Sequence, residues 1–216
     1  MRLLRTCTVA WLLVGMPQTA MATTAAIVSA VEARYQDVTA IQASFSQTVS
    51  SPSFGESVQQ GALQMMRPTM ARWEFSTPTP SEMITNGETM WIYSPDSNQV
   101  IVTEDLSSAG GSSDLMSLLT DLSRLDEFFN VTESTASGGS HVLQLIPIDE
   151  SLKAQLQQLE LTLDSTYLLQ QVTFEDAFGQ QTKLVFSDVQ LNPTLDASRF
   201  TFTPPAGCTV INTGGL

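Results

Sequence analysis

Between Ile41 and Thr103 the apolar side chains recur at every second residue, and turn-forming residues interrupt that rhythm at short intervals. A period of two places one row of side chains on each face of an extended strand, and connections too short for a crossover helix require antiparallel neighbours. Ile41, Ala43 and Phe45 alternate with Gln42, Ser44 and Ser46. Leu63 and Met65 share a face with Arg67, where Pro68 stops the strand, and Ala71, Trp73 and Phe75 alternate with Arg72 and Glu74. Asn86-Gly87, set between 82–85 and 88–93, predicts a tight type I′ hairpin because that dipeptide readily takes positive φ. Residues 95–98 then turn the chain into a strand at 99–103.

Helical spacing flanks this block. Ile27, Val31, Tyr35 and Val38 form one apolar stripe over 24–38, and Leu115, Leu118, Leu119, Leu122 and Leu125 form a broader leucine face after a Ser/Gly-rich stretch at 107–113. Further strands are predicted at 128–133, 141–148, 160–163, 168–175 and 180–191, with a short helical stretch around 152–156. Roughly ten strands with two or three helices make a mainly β, α+β fold: one large curved antiparallel sheet partly covered by helices.

The first 22 residues carry Arg2 and Arg5, an apolar run from Val9 to Met16, the breaker Pro17 and a small-residue end at Ala20-Met21-Ala22. That is the pattern of a cleaved secretory signal, and the run is too short to span a bilayer. Residues 23–216 are expected to form a single soluble domain. Cys7 would leave with the signal, so Cys208 has no partner for an internal disulfide. Only 14% of residues are charged, yet 22 acidic against nine basic side chains give a net charge of −13, and removing the signal takes away two more cations. Such a surface argues against nucleic acid and against anionic membranes.

No catalytic constellation is visible. His141 is the only histidine and sits in a strand pattern, and Cys208 has no metal-ligand spacing and no neighbouring cation to activate it. Glu104-Asp105 and Asp149-Glu150 are not placed to act as acid/base pairs, Asp96 with Asn98 lacks the rest of a calcium set, and Gly110-Gly111 and Gly138-Gly139 lack the flanks of a phosphate cradle. The expectation is a non-enzyme with no metal and no cofactor. What remains is apolar surface, which either fills the sheet's own core or lines a hollow for an apolar ligand. Nine methionines fit either reading. Arg67 is the discriminating residue: its guanidinium stays ionised, and if its face is inward its five donors need acceptors, either a rim carboxylate or the carbonyls at the end of a covering helix. Trp73, Phe75, Trp91 and Tyr93 are the expected aromatic lining, although both faces at 90–93 are apolar and periodicity alone leaves Met90 and Ile92 as the alternative pair.

Arg67-Pro68, Arg72-Trp73-Glu74, Asn86-Gly87 with Trp91-Ile92-Tyr93-Ser94-Pro95, and Gln99-Val100 together resemble the LolA family, the periplasmic carriers of outer-membrane lipoproteins. The likeness continues through Phe45-Ser46-Gln47, Gly61, Asp176-Ala177-Phe178-Gly179-Gln180 and the run from Phe200 to Gly207, in order along nearly all of the chain after residue 22. The resemblance implies an incomplete antiparallel barrel closed by a helical lid over an apolar cavity for lipoprotein acyl chains. It implies a latch at Arg67 bonding the lid, with Leu115, Leu118, Leu119 and Leu122 on the lid and Phe45, Leu63, Met65, Trp73, Phe75, Trp91 and Tyr93 in the cavity. It also implies partners: acylated lipoproteins, the inner-membrane LolCDE ATP-driven transporter and the outer-membrane receptor LolB, with the carrier itself a periplasmic monomer. Two departures stand out. Ala71 replaces a larger aromatic that takes part in handover in a well-known member, and the short tail predicts a reduced C-terminal strand. LolB shares the fold but is anchored by a lipidated cysteine directly after its signal; Ala20-Met21-Ala22-Thr23 offers none, which favours the soluble shuttle. The rival readings are an RseB-like lipoprotein sensor, which needs a second domain, and a lipocalin-like carrier of free lipids or a periplasmic hydrolase.

Overall fold

A computed structural model describes residues 23–104, 106, 121–134 and 139–213. Helix α1 (Thr24–Tyr35) starts where the Thr23 hydroxyl accepts the Ala26 N–H at 3.3 Å. It buries Ile27, Val31 and Tyr35 of the stripe its spacing predicts, and Val28 besides, and it ends three residues earlier than expected. Val38 lies beyond the helix but is buried all the same.

Strands β1 (Ala40–Ser51), β2 (Gly55–Met66), β3 (Met70–Thr77), β4 (Ser81–Thr85), β5 (Thr89–Ser94) and β6 (Gln99–Glu104) follow as one meander. A 3₁₀ turn at Leu122–Arg124 leads into α2 (Leu125–Phe128), and a second meander is built from β7 (Phe129–Ser134), β8 (His141–Pro147), β9 (Leu156–Leu163), β10 (Leu169–Asp176) and β11 (Gln181–Leu191), with α3 (Glu150–Gln155) between β8 and β9. Phe128 ends a helix instead of opening a strand. β12 (Thr209–Asn212) is the short terminal strand, and it runs parallel to β6. Among the described residues the twelve strands form one open sheet in the order β12-β6-β5-β4-β3-β2-β1-β11-β10-β9-β8-β7, in which every pairing except β12 with β6 is antiparallel.

The β4–β5 connection is not the type I′ turn that Asn86-Gly87 predicts. Gly87 has φ +96 but Asn86 is not among the residues with positive φ. The Asn86 Oδ1 instead accepts the N–H groups of Glu88 at 2.9 Å and Thr89 at 2.8 Å, a side-chain turn that makes the loop three residues long. A Cβ at Gly87 would sit 2.2 Å from the Thr69 hydroxyl, so the adjacent turn also requires glycine there.

The sheet has two unlike faces. Its inner face carries α1 and a continuous buried set from Leu143, Leu145, Leu159 and Leu161 through Val172, Leu184 and Phe186 to Phe45, Leu63 and Trp73. The outer face over β3–β6 is covered by the chain's own C-terminal segment. There Phe200 is fully buried at the end of the 3₁₀ turn Ala197–Phe200, and the Phe202 ring packs 5.1 Å from that of Tyr93. Arg72 donates to the Arg199 carbonyl at 3.0 Å and pairs with Glu74 at 2.7 Å and with Glu82.

Candidate functional site

Cross-strand pairs share a face, so the register fixes which predicted residues meet. One row on the inner face runs Ala43–Leu63–Trp73–Met83–Ile92–Ile101 across β1 to β6. The rows beside it hold Ile41–Met65–Ala71 and Phe45–Gly61–Phe75. Phe45, Leu63, Met65, Trp73 and Phe75 therefore share one face. Phe45 meets Trp73 edge-on at 4.8 Å and Phe75 at 5.3 Å, while Trp73 and Phe75 stack at 6.4 Å. Gly61 makes room for this cluster: a Cβ there would lie 2.0 Å from the Glu74 carbonyl oxygen and 3.0 Å from the Phe45 ring.

Trp91 and Tyr93 do not line this face. Trp91 pairs with Ile84 and Ile84 with Arg72, and Tyr93 pairs with Glu82, so both aromatics belong to the outer side beneath the C-terminal segment. Their places on the inner face are taken by Met90 and Ile92, which with Met83 and Ile101 make a strip that is only half-buried. Leu115, Leu118 and Leu119 lie outside the described residues. Leu122 is fully buried in the core cluster that includes α1.

Beside the aromatic cluster lies a small hollow lined by Tyr35, Ile41, Leu63, Met65, Leu169 and Phe186 among other apolar groups. Counting only space open to the centre of a water-sized sphere, it measures about 20 Å³, room for roughly one water molecule. Tyr35 turns its hydroxyl to accept the Leu169 N–H at 2.9 Å, and burial pushes its ionisation above the usual phenol range. The described apolar interior is thus nearly filled, with the half-buried Met83–Ile92–Ile101 strip continuing from its edge.

Arg67 ties three parts of the molecule together. It donates to the carbonyl oxygens of Tyr35 at 3.0 Å and Gln36 at 3.2 Å, and to Asp121 at 2.6 Å. The last carbonyls of α1 have no partners within the helix and carry the negative end of its dipole, so a guanidinium is well matched to them. Asp121 also accepts the Ser123 N–H at 3.1 Å and so caps the 3₁₀ turn that carries Leu122. The sequence reading missed Asp121. Its signal was the Asp-x-Ser pattern before a buried leucine, an N-terminal cap for a helical turn.

Known proteins share both this sequence pattern and this architecture. The family model described as outer membrane lipoprotein carrier protein LolA matches residues 36–203. An outer-membrane lipoprotein carrier protein from Methylobacillus flagellatus is 33% identical over 186 residues, covering 85% of this chain and 88% of that one. Another of the same name, from Pseudomonas paraeruginosa, is 32% identical over 213 residues, 98% of this chain and 99% of the relative. An uncharacterized conserved protein from Thermus thermophilus superposes with a TM-score of 0.52 at 14% identity, over 86% of this chain and 96% of that one, which is a likeness of fold. With its family model matched over most of its length and its relatives a third identical nearly end to end, the chain belongs to the LolA family of outer membrane lipoprotein carrier proteins.

Proposed function

We propose that this protein is a periplasmic carrier that shields the acyl chains of lipoproteins between the inner and outer membranes. One observation carries the reading: the inner face of the sheet joins a small apolar hollow to a half-buried apolar strip, and Arg67 bridges the structure beside it. The family membership supports the cargo. Residues 1–22 act as the secretion signal and 23–216 as the single carrier domain. No described helix is long and apolar enough to cross a membrane.

Burying one methylene gains about 0.8 kcal/mol, so a sixteen-carbon chain is worth roughly 12 kcal/mol and cannot cross water bare. A bilayer offers similar burial, so extraction is near balance or uphill and needs an energy-coupled donor; the LolCDE transporter is the proposed one, with a LolB-type receptor as acceptor. In the empty carrier, Arg67 holds the end of α1 and the segment at Asp121 together. Cargo enters by parting them, and the recovered Arg67 bonds favour release, offsetting part of the burial lost. Leu115, Leu118, Leu119 and Leu122 are the proposed lid. Replacing Arg67 with Leu yields a carrier that still loads a triacylated lipopeptide but passes it to the receptor more slowly. Transfer at the wild-type rate in a reconstituted assay rejects the latch. Mass spectrometry of cargo copurified from periplasm tests the larger claim: triacylated N-terminal cysteine peptides support it, and free fatty acid alone supports a lipocalin-like carrier instead.

A further inference from the structure

We propose that the indole N–H of Trp73 donates to the carbonyl at the head of a cargo acyl chain, so that the carrier distinguishes acyl esters from bare hydrocarbon; this rests on the carrier reading above. Trp73 is 3% exposed, and its Nε1 is, among the described residues, the one buried side-chain nitrogen or oxygen without a hydrogen-bond partner. A buried donor left unpaired is costly, and folded proteins satisfy nearly all of them. The indole is also held in place, edge-on to Phe45 and stacked on Phe75, with Phe45 itself packed against the bare Cα of Gly61.

Position points to the missing acceptor. Trp73 is the cross-strand partner of Leu63, which lines the hollow, and of Met83, which opens the half-buried strip. A chain lying along the strip and entering the hollow passes over the indole. Hydrocarbon supplies no acceptor, and the polar atom that an esterified chain brings into such surroundings is its carbonyl oxygen. The ionised carboxylate of a free fatty acid also accepts, but Phe45, Leu63 and Ala71 around the indole would leave its charge among apolar groups, which is far more costly than a neutral ester.

The test compares three probes on the purified protein: a cysteine peptide with two palmitoyl esters on its glyceryl group, the matching dialkyl ether, and palmitate. The ester is expected to bind about fivefold more tightly than the ether, the worth of one ordinary hydrogen bond. Trp73→Phe brings that ratio to about one, whatever its absolute affinities. In the ¹⁵N-labelled wild-type protein, the Trp73 indole resonance moves downfield with ester and stays with ether, a readout that does not depend on the variant folding. Equal wild-type affinities for ester and ether, or a ratio retained in Trp73→Phe, overturns the donor assignment while leaving the carrier reading intact. An equal shift with palmitate overturns the ester as its partner. Binding of neither lipopeptide overturns the carrier reading, and the inference with it.

Discussion

Arg67 brings five donors to the turn between β2 and β3, and the structure shows several acceptors arranged around them. Two are helix-end carbonyls, the kind of partner that the position of Arg67 on the Leu63 and Met65 face makes one of two alternatives. Another, Asp121, is a carboxylate, the kind of partner named in the other alternative. The side chains of the pair are 22% and 31% exposed, which leaves solvent to weaken the attraction. Asp121→Asn keeps the shape and removes the charge. It should lower unfolding free energy by about 0.5–1 kcal/mol in urea titrations, with the difference shrinking in high salt; a loss that salt leaves unchanged would mean that the charge does not matter there. Asp121 was legible only as the cap of a helical turn, not as a partner of Arg67, and the orphan donor of Trp73 was not legible at all. Asp121 lies 54 positions from Arg67, on the polar side of a leucine stretch whose spacing says nothing of a distant partner, and an indole reads as merely apolar until its surroundings are known.

Strand alternation proved decisive where the two faces differ and powerless where they do not. β3 sets Ala71, Trp73 and Phe75 against Arg72 and Glu74, and its inner side follows from that contrast. β5 reads Met90-Trp91-Ile92-Tyr93, apolar throughout, because its outer side is also covered, by the segment holding Phe200 and Phe202. The larger aromatics go under that cover, and Met90 and Ile92 face inward. Ile92→Gln should therefore weaken binding of an acylated peptide about tenfold, the effect of roughly 1.4 kcal/mol of lost apolar contact. Tyr93→Gln should cost about 1–2 kcal/mol of stability and leave the affinity of the folded protein unchanged. Paired calorimetric melts and binding titrations decide it, and the opposite pattern would return Tyr93 to the inner face. The β4–β5 loop teaches a related lesson: Asn-Gly marked the turn correctly, but the Asn86 side chain chose its geometry.

At the scale of the molecule, the mainly β class, the antiparallel meanders and the covering first helix were all readable from period and punctuation. The hollow was not, since its roughly 20 Å³ is set by how Tyr35, Met65 and Phe186 pack from three distant parts of the chain. That packing depends on one junction. Each meander is knit by near neighbours, whereas β1 meets β11 across the length of the protein, as in the pairing of Phe45 with Phe186. Phe186→Leu, costing about 1 kcal/mol, should slow refolding severalfold, whereas Leu145→Val within the second meander should mainly hasten unfolding; stopped-flow traces with the two effects exchanged would place the junction after the rate-limiting barrier. Contacts so remote in sequence are slow to find. Until that seam zips, each half presents a greasy flank and an unpaired edge to its surroundings, so the chain is most vulnerable to aggregation just before it gains the interior that lets it carry anything at all.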